Sequence, residues 1–137
     1  MRLMIDTNIF LDVLARREPF YAASRAVLEL CEKKAVKGFL SASSVTDLFY
    51  LVRRQLHSAE AAYEALGYVL DIAGVLAVTG EDVMKAYLKR TPDFEDCLVA
   101  MCAASCGCEG IVTRNGGDFA SLGMPVWTPE DVIARFQ

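Results

Sequence analysis

Short apolar runs alternate with longer amphipathic segments along the whole chain, and this alternation constrains the fold more than any other feature of its 137 residues. Leu3 to Ile5, Phe39-Leu40-Ser41, Val75-Leu76-Ala77-Val78 and Ile111-Val112-Thr113 are too short for helices and too uniformly apolar for strands with one wet face. Pro125-Val126-Trp127 reads as a last edge strand. Between these runs the spacing predicts helices over Ile9 to Ala15, from Pro19 onward, over Val45 to Leu56, from Ser58, over Glu81 to Lys89 and over Phe94 to Ser105. The helix after Pro19 gathers Ala22, Ala26, Val27, Leu30 and Cys31 on one side, and Gly38 is read as its stop. Gly74 is read as the separator before the third strand. Thr128-Pro129-Glu130-Asp131 opens a final helix with a cap, a proline and two acids at the positive end of the dipole. Strands separated by helices imply an α/β fold: a central, mostly parallel sheet of four to five short strands covered by helices on both faces. The length fits a single domain over residues 1–137.

Composition narrows the class. A hydrophobic content of 54% with 23% charged residues is globular, and no apolar run approaches the roughly 20 residues that span a bilayer. The apolar stretch before Asp6 is too short for a signal peptide, so a soluble, cytoplasmic protein without membrane association is expected. A net charge of −4 argues against passive coating of nucleic acid, yet suits an acidic site at which cations restore affinity for phosphate. Five cysteines, an odd count without paired knuckles, are expected to be reduced and to pack as small hydrophobes. The single histidine, His57, follows a helical run and is expected to be a solvated helix end, which removes histidine-based nucleophile schemes.

Ligand sites in such sheets lie outside the carboxyl ends of the strands. Asp6 directly follows the first strand, and Asp118 follows the fourth across the loop Asn115-Gly116-Gly117. Each taken singly is as readily a helix cap. Asp96 shares a face with Asp93, Ala100 and Ala103 on a helix with almost no polar side apart from Glu95 and Ser105. A carboxylate there needs a partner: Lys89, Arg90, a salt bridge to Arg114, or a cation, the last favoured because Asp6 and Asp118 crowd the same edge. Asp47 is either a favourable acid near a helix start or a further acidic wall of the pocket.

Asp6-Thr7-Asn8 after a hydrophobic strand resembles the opening of PIN domains, the nuclease domains that include VapC-type toxins. Asp93-Phe94-Glu95-Asp96-Cys97-Leu98-Val99-Ala100 is similar to that family's D-x-x-D-A-L-x-A helix. Val112-Thr113-Arg114-Asn115 followed by Asp118-Phe119 resembles its T-x-N-x-x-D-F segment, and Pro125 to Glu130 its last strand and capped helix. The resemblance implies Asp6, Asp96 and Asp118 as metal-binding acids, Asp93 as an auxiliary acid, and Asn8, Thr113 and Asn115 as polar residues that orient the acids or the attacking water. Where the family usually has a glutamate after the second strand, this chain has Asp47, one methylene shorter, which counts against direct metal contact and leaves contact through a water.

Clustered carboxylates repel one another unless a hard divalent cation joins them, and oxygen-only ligands suit Mg²⁺ or Mn²⁺. Such ions activate water for in-line attack on a phosphodiester. Local basic groups such as Arg16, Arg17, Arg53, Arg54 or Arg114 would steer the phosphates. The resemblance further implies an RNA substrate, a cognate antitoxin and a homodimer. Two alternatives stand beside it. One is a degenerate PIN-like binding module, in which the acids would pair with arginines. The other is an aspartyl-phosphate phosphatase, against which Asn8 stands where a second acid is required and no lysine follows the fourth strand.

Overall fold

The computed structural model describes residues 1–136, and within that span the side chain of Asp118 is not described. Five strands, β1 (Arg2–Ile5), β2 (Lys37–Ser41), β3 (Ala73–Leu76), β4 (Gly110–Val112) and β5 (Val126–Trp127), form one sheet in the order β3-β2-β1-β4-β5. Every adjacent pair is parallel, with Met4 opposite Phe39 on one side and Ile111 on the other.

The helices are α1 (Thr7–Leu14), α2 (Tyr21–Glu32), α3 (Ala42–Leu56), α4 (Ala59–Ile72), α5 (Gly80–Lys89), α6 (Phe94–Ser105), α7 (Gly116–Ala120) and α8 (Pro129–Phe136). Successive strand residues point to opposite faces, and two cores result. Leu3, Ile5, Leu40 and Val112 pack with α1, α2, α3, α4 and α8, whereas Met4, Phe39 and Ile111 pack with α5, α6 and α7. Both faces of the sheet are therefore covered, which is why its strands carry no polar alternation. Among the described residues no helix is long and apolar enough to cross a membrane.

Two boundaries differ from expectation, and both concern glycine. Gly38 does not end α2, which stops at Glu32; it lies inside β2, opposite Leu3. A Cβ at that position would stand 2.7 Å from the Cys31 sulfur. Gly74 does not precede β3 but belongs to it, opposite Phe39, where a Cβ would stand 2.8 Å from the Phe39 ring. Close approach, not chain reversal, explains both. The cysteines are packed as expected: Cys31, Cys97, Cys102 and Cys108 are buried and none is in a disulfide. His57 is exposed at the C-terminus of α3.

A candidate active site at the sheet's switch point

From β1 the chain steps outward to β2 and β3, then returns to place β4 on the other side of β1. The connections leave β1 and β4 on opposite faces, which opens a crevice beyond their carboxyl ends. Asp6 and Thr113, the first residues after those two strands, stand at that crevice.

Asp6 occupies the N-cap position of α1, but its side chain makes no capping bond to the first helical turn's later amides. Instead its Oδ2 accepts a 2.7 Å hydrogen bond from the hydroxyl of Thr113, which is fully buried. The same hydroxyl accepts the backbone N–H of Asn115 at 3.0 Å, which fixes the direction of its proton toward Asp6. The Asn8 side-chain amide reaches Asp6 Oδ2 at 3.5 Å. Burial pushes the Asp6 carboxyl above the usual range, while Thr113, the Thr7 amide, the charge of Arg114 and Asn8 pull the other way.

The helical layers bring further acids to this edge. Asp96 lies half-buried in the first turn of α6, and Asp93 is the N-cap of that helix, accepting the Asp96 N–H at 2.9 Å. Asp93 thus precedes the helix and does not share its face. Asp47, on α3 from the opposite layer, faces Glu95 of α6 at hydrogen-bonding range. That contact, burial, and the charges of Asp47, Asp93 and Asp96 push the Glu95 carboxyl up to about 7. Asp118 falls inside α7, beyond the end of β4, and its expected metal contact lies outside what is described.

Glu95 is the acid that sequence reasoning passed over. The available signal was its place between Asp93 and Asp96, three acids in four residues on an otherwise apolar helix. Asp12 was also missed. It is fully buried, accepts Ser24 Oγ at 2.8 Å, and binds Arg114 through Nε at 2.8 Å and Nη2 at 3.0 Å. The Arg114 guanidinium also lies 3.7 Å above the Phe20 ring. Arg114 is therefore committed to Asp12, and the salt bridge considered for Asp96 falls to another residue's carboxylate. Among the described residues Asp6, Asp47 and Asp93 take part in no ion pair.

The donor set suits a hard divalent cation: it is all oxygen, and Asp47, Asp93 and Asp96 raise the proton affinity of Glu95, which a cation beside them would reverse. Among the described residues no three histidine, cysteine or acidic side chains are grouped closely enough to hold an ion; the side chain of Asp118, the third acid of the expected trio, lies outside that description.

A family model described as "PIN domain" matches residues 2–116. The chain belongs to the PIN domain family. No curated protein sequence matches it. Among solved structures it is similar to VapC20 of Mycobacterium tuberculosis, described as a sarcin-ricin loop cleaving toxin, with 17% identity and a TM-score of 0.70 over 89% of this chain and 95% of that one. VapBC2 of Rickettsia felis, bound to a fragment of its promoter DNA, gives 18% identity and a TM-score of 0.72 over 93% and 98%. A toxin–antitoxin complex from Klebsiella pneumoniae gives 20% identity and 0.67 over 93% and 97%. At such identities these likenesses concern the fold of this PIN domain.

Proposed function

We propose that this PIN domain, as a single domain, is a cytoplasmic metal-dependent endoribonuclease and the toxin of a toxin–antitoxin pair. The observation that carries the reading is a half-buried Asp6 held by Thr113 at the switch point, on the sheet edge where α3 and α6, which carry Asp47 and Glu95, begin. Asp6, Asp96 and Asp118 would hold Mg²⁺ or Mn²⁺, with Asp47, Asp93 and Glu95 around them. When bound, the ion would supply Lewis acidity and lower the pKa of a water.

The chain's own residues set up the rest. The hydroxyl of Thr113, polarised by the Asn115 N–H, holds Asp6 through its Oδ2. Asn8 limits rotation of the same carboxylate. The Asp12–Arg114 pair, anchored by Ser24, keeps a positive charge near Asp6 without neutralising it by direct contact. Glu95, pushed up to about 7 beside Asp47, would take up and release a proton near neutrality, which suits general-base work on a water. No serine, cysteine or histidine nucleophile is needed.

RNA as substrate and a cognate antitoxin are supported by the family and by neighbours described as a loop-cleaving toxin and as toxin–antitoxin complexes. A homodimer is supported by the exposed apolar side of α5, where Met84 and Leu88 are 55% and 71% exposed. The test is cleavage of a mixed single-stranded RNA pool in Mg²⁺ or Mn²⁺ by the wild type and by Asp6→Asn, Asp96→Asn and Asp118→Asn. Each variant is expected to lose at least about 100-fold in rate, the scale of a lost electrostatic stabiliser. Equal rates, or cleavage that survives EDTA, would overturn the mechanism. Growth arrest on expression, absent in Asp6→Asn, tests the toxin assignment.

A further inference from the structure

One face of α3 runs away from the acidic edge and carries Asp47, Tyr50, Leu51, Arg54 and His57. The ten steps from Asp47 to His57 extend about 15 Å along the helix, at 1.5 Å per residue. Two cavities open on this face. The inner one, about 290 Å³, is lined by Asp47, Tyr50, Leu51, Arg54 and Glu95. The outer one, about 530 Å³, is lined by Tyr50, Arg53, Arg54, His57, Ser58 and Ala59. Tyr50 and Arg54 line both, so the two meet as one groove whose inner end reaches Asp47 and Glu95.

The groove's chemistry changes along its length from acid to aromatic to base. Tyr50 is 58% exposed, and a T-shaped contact with Phe49, centroids 5.2 Å apart, sets the plane of its ring. Phe49 is itself braced by Tyr63 at 4.7 Å. Arg53 and Arg54 are exposed and, among the described residues, take part in no ion pair, whereas Arg25 and Arg114 are paired. Arginines in the last turn of a helix also complement its dipole, and that alone would be the ordinary reading. It does not account for a groove shared with an exposed tyrosine and leading to the carboxylates. In a chain of net charge −4, such a groove favours an anionic ligand that lies along it.

We propose that this groove is the track of the substrate strand. Arg54 takes the phosphate beside the one to be cut, Arg53 and His57 take the next, and Tyr50 stacks a base between them. Unstacked bases, aromatic platforms and arginines along a backbone are how single strands are held without sequence reading. An acidic polypeptide would also satisfy the arginines, but only a phosphodiester chain has reason to continue to the carboxylates. The inference deepens the ribonuclease reading and rests on it for the identity of the strand.

The test is fluorescence anisotropy with a fluorescein-labelled single-stranded RNA dodecamer of mixed sequence, in EDTA so that the probe stays intact. Arg53→Gln with Arg54→Gln is expected to weaken binding at least about tenfold and to reduce the slope of log affinity against log salt by about 1.4, from 0.7 per phosphate contact. Tyr50→Ala is expected to weaken binding at least about fivefold with the slope unchanged. Lys33→Gln with Lys34→Gln, an exposed basic pair outside the groove, is expected to bind as the wild type does. In Mg²⁺ the groove variants should raise KM and leave kcat within about twofold. Unchanged affinity and slope in the double arginine variant, an equal loss in the Lys33 and Lys34 variant, or no binding by the wild type would overturn the track. So would displacement of the labelled RNA by polyglutamate as effectively as by unlabelled RNA. Should the wild type and Asp6→Asn bind alike through the groove while neither cleaves, the groove stands and the ribonuclease reading falls.

Discussion

A half-buried carboxylate depends on its hydrogen bonds more than a surface one does, and Asp6 receives its shortest from the hydroxyl of Thr113 at 2.7 Å. Thr113→Val keeps the shape and removes that donor, and it also leaves the Asn115 N–H without its acceptor. A bond to the charged form is lost, so the Asp6 pKa should rise further and the acid limb of the pH–rate profile should move to higher pH. Urea denaturation should show a loss of about 1–3 kcal/mol, the cost of stranding buried polar groups. Thr113→Ser should restore both. Asp12 makes a different case, because it is fully buried and its partner Arg114 is largely so. Asp12→Asn keeps one acceptor for Ser24 but leaves a guanidinium without its counter-charge. A loss of about 3–5 kcal/mol is expected in the same measurement. A smaller loss, near that of a surface pair, would show that Arg114 finds water or another acid when Asp12 is gone.

At the scale of elements, β2 and β3 are held by close approach. Gly38→Ala should cost about 1–3 kcal/mol by overpacking against the Cys31 sulfur, and Gly74→Ala a similar amount against Phe39. Phe39 is not free to yield, since the Arg2 guanidinium lies 4.4 Å from its ring centre. Combining Gly38→Ala with Cys31→Ala should recover most of the loss, a non-additivity that denaturation of the four proteins in the cycle would measure. These glycines also mark where sequence reading reached its limit. A glycine between periodic segments signals either a turn or a tight contact, and only the packed neighbour decides which. Termini with side-chain chemistry were easier to read. Thr128 and Asp131 cap α8 reciprocally, as their order suggests, with bonds of 2.9 Å and 3.1 Å. Thr79 and Asp82 do the same for α5, so that helix starts one residue earlier than its apolar spacing indicates.

For the molecule as a whole, the sheet and the edge at which a site should lie were legible, because parallel strands, covered faces and the switch point follow from the alternation of elements. What brings Asp47 to Glu95 was not legible, since the two sit on helices from opposite layers and their meeting depends on how both layers pack over one edge. That convergence has a thermodynamic consequence. The folded-state pKa of Glu95 is raised from 4.5 to about 7, and that of Asp6 is raised as well. Between the unfolded and folded values the folded state binds more protons, so stability is greatest below about pH 4.5 with respect to these groups and declines as pH rises toward 7. In EDTA the melting midpoint should therefore fall by a few degrees from pH 5 to pH 7.5, the shift of a modest free-energy change in a domain of this size. Glu95→Gln should flatten that decline. Mg²⁺ competes with protons for the same oxygens, so it should raise the midpoint more at pH 7.5 than at pH 5. Asp6→Asn should lose most of the Mg²⁺ effect while melting higher than the wild type in EDTA, because an amide keeps the Thr113 bond without the cost of a partly desolvated charge. A wild type whose midpoint is the same at both pH values and indifferent to Mg²⁺ would mean that the carboxylates do not crowd at this edge in solution.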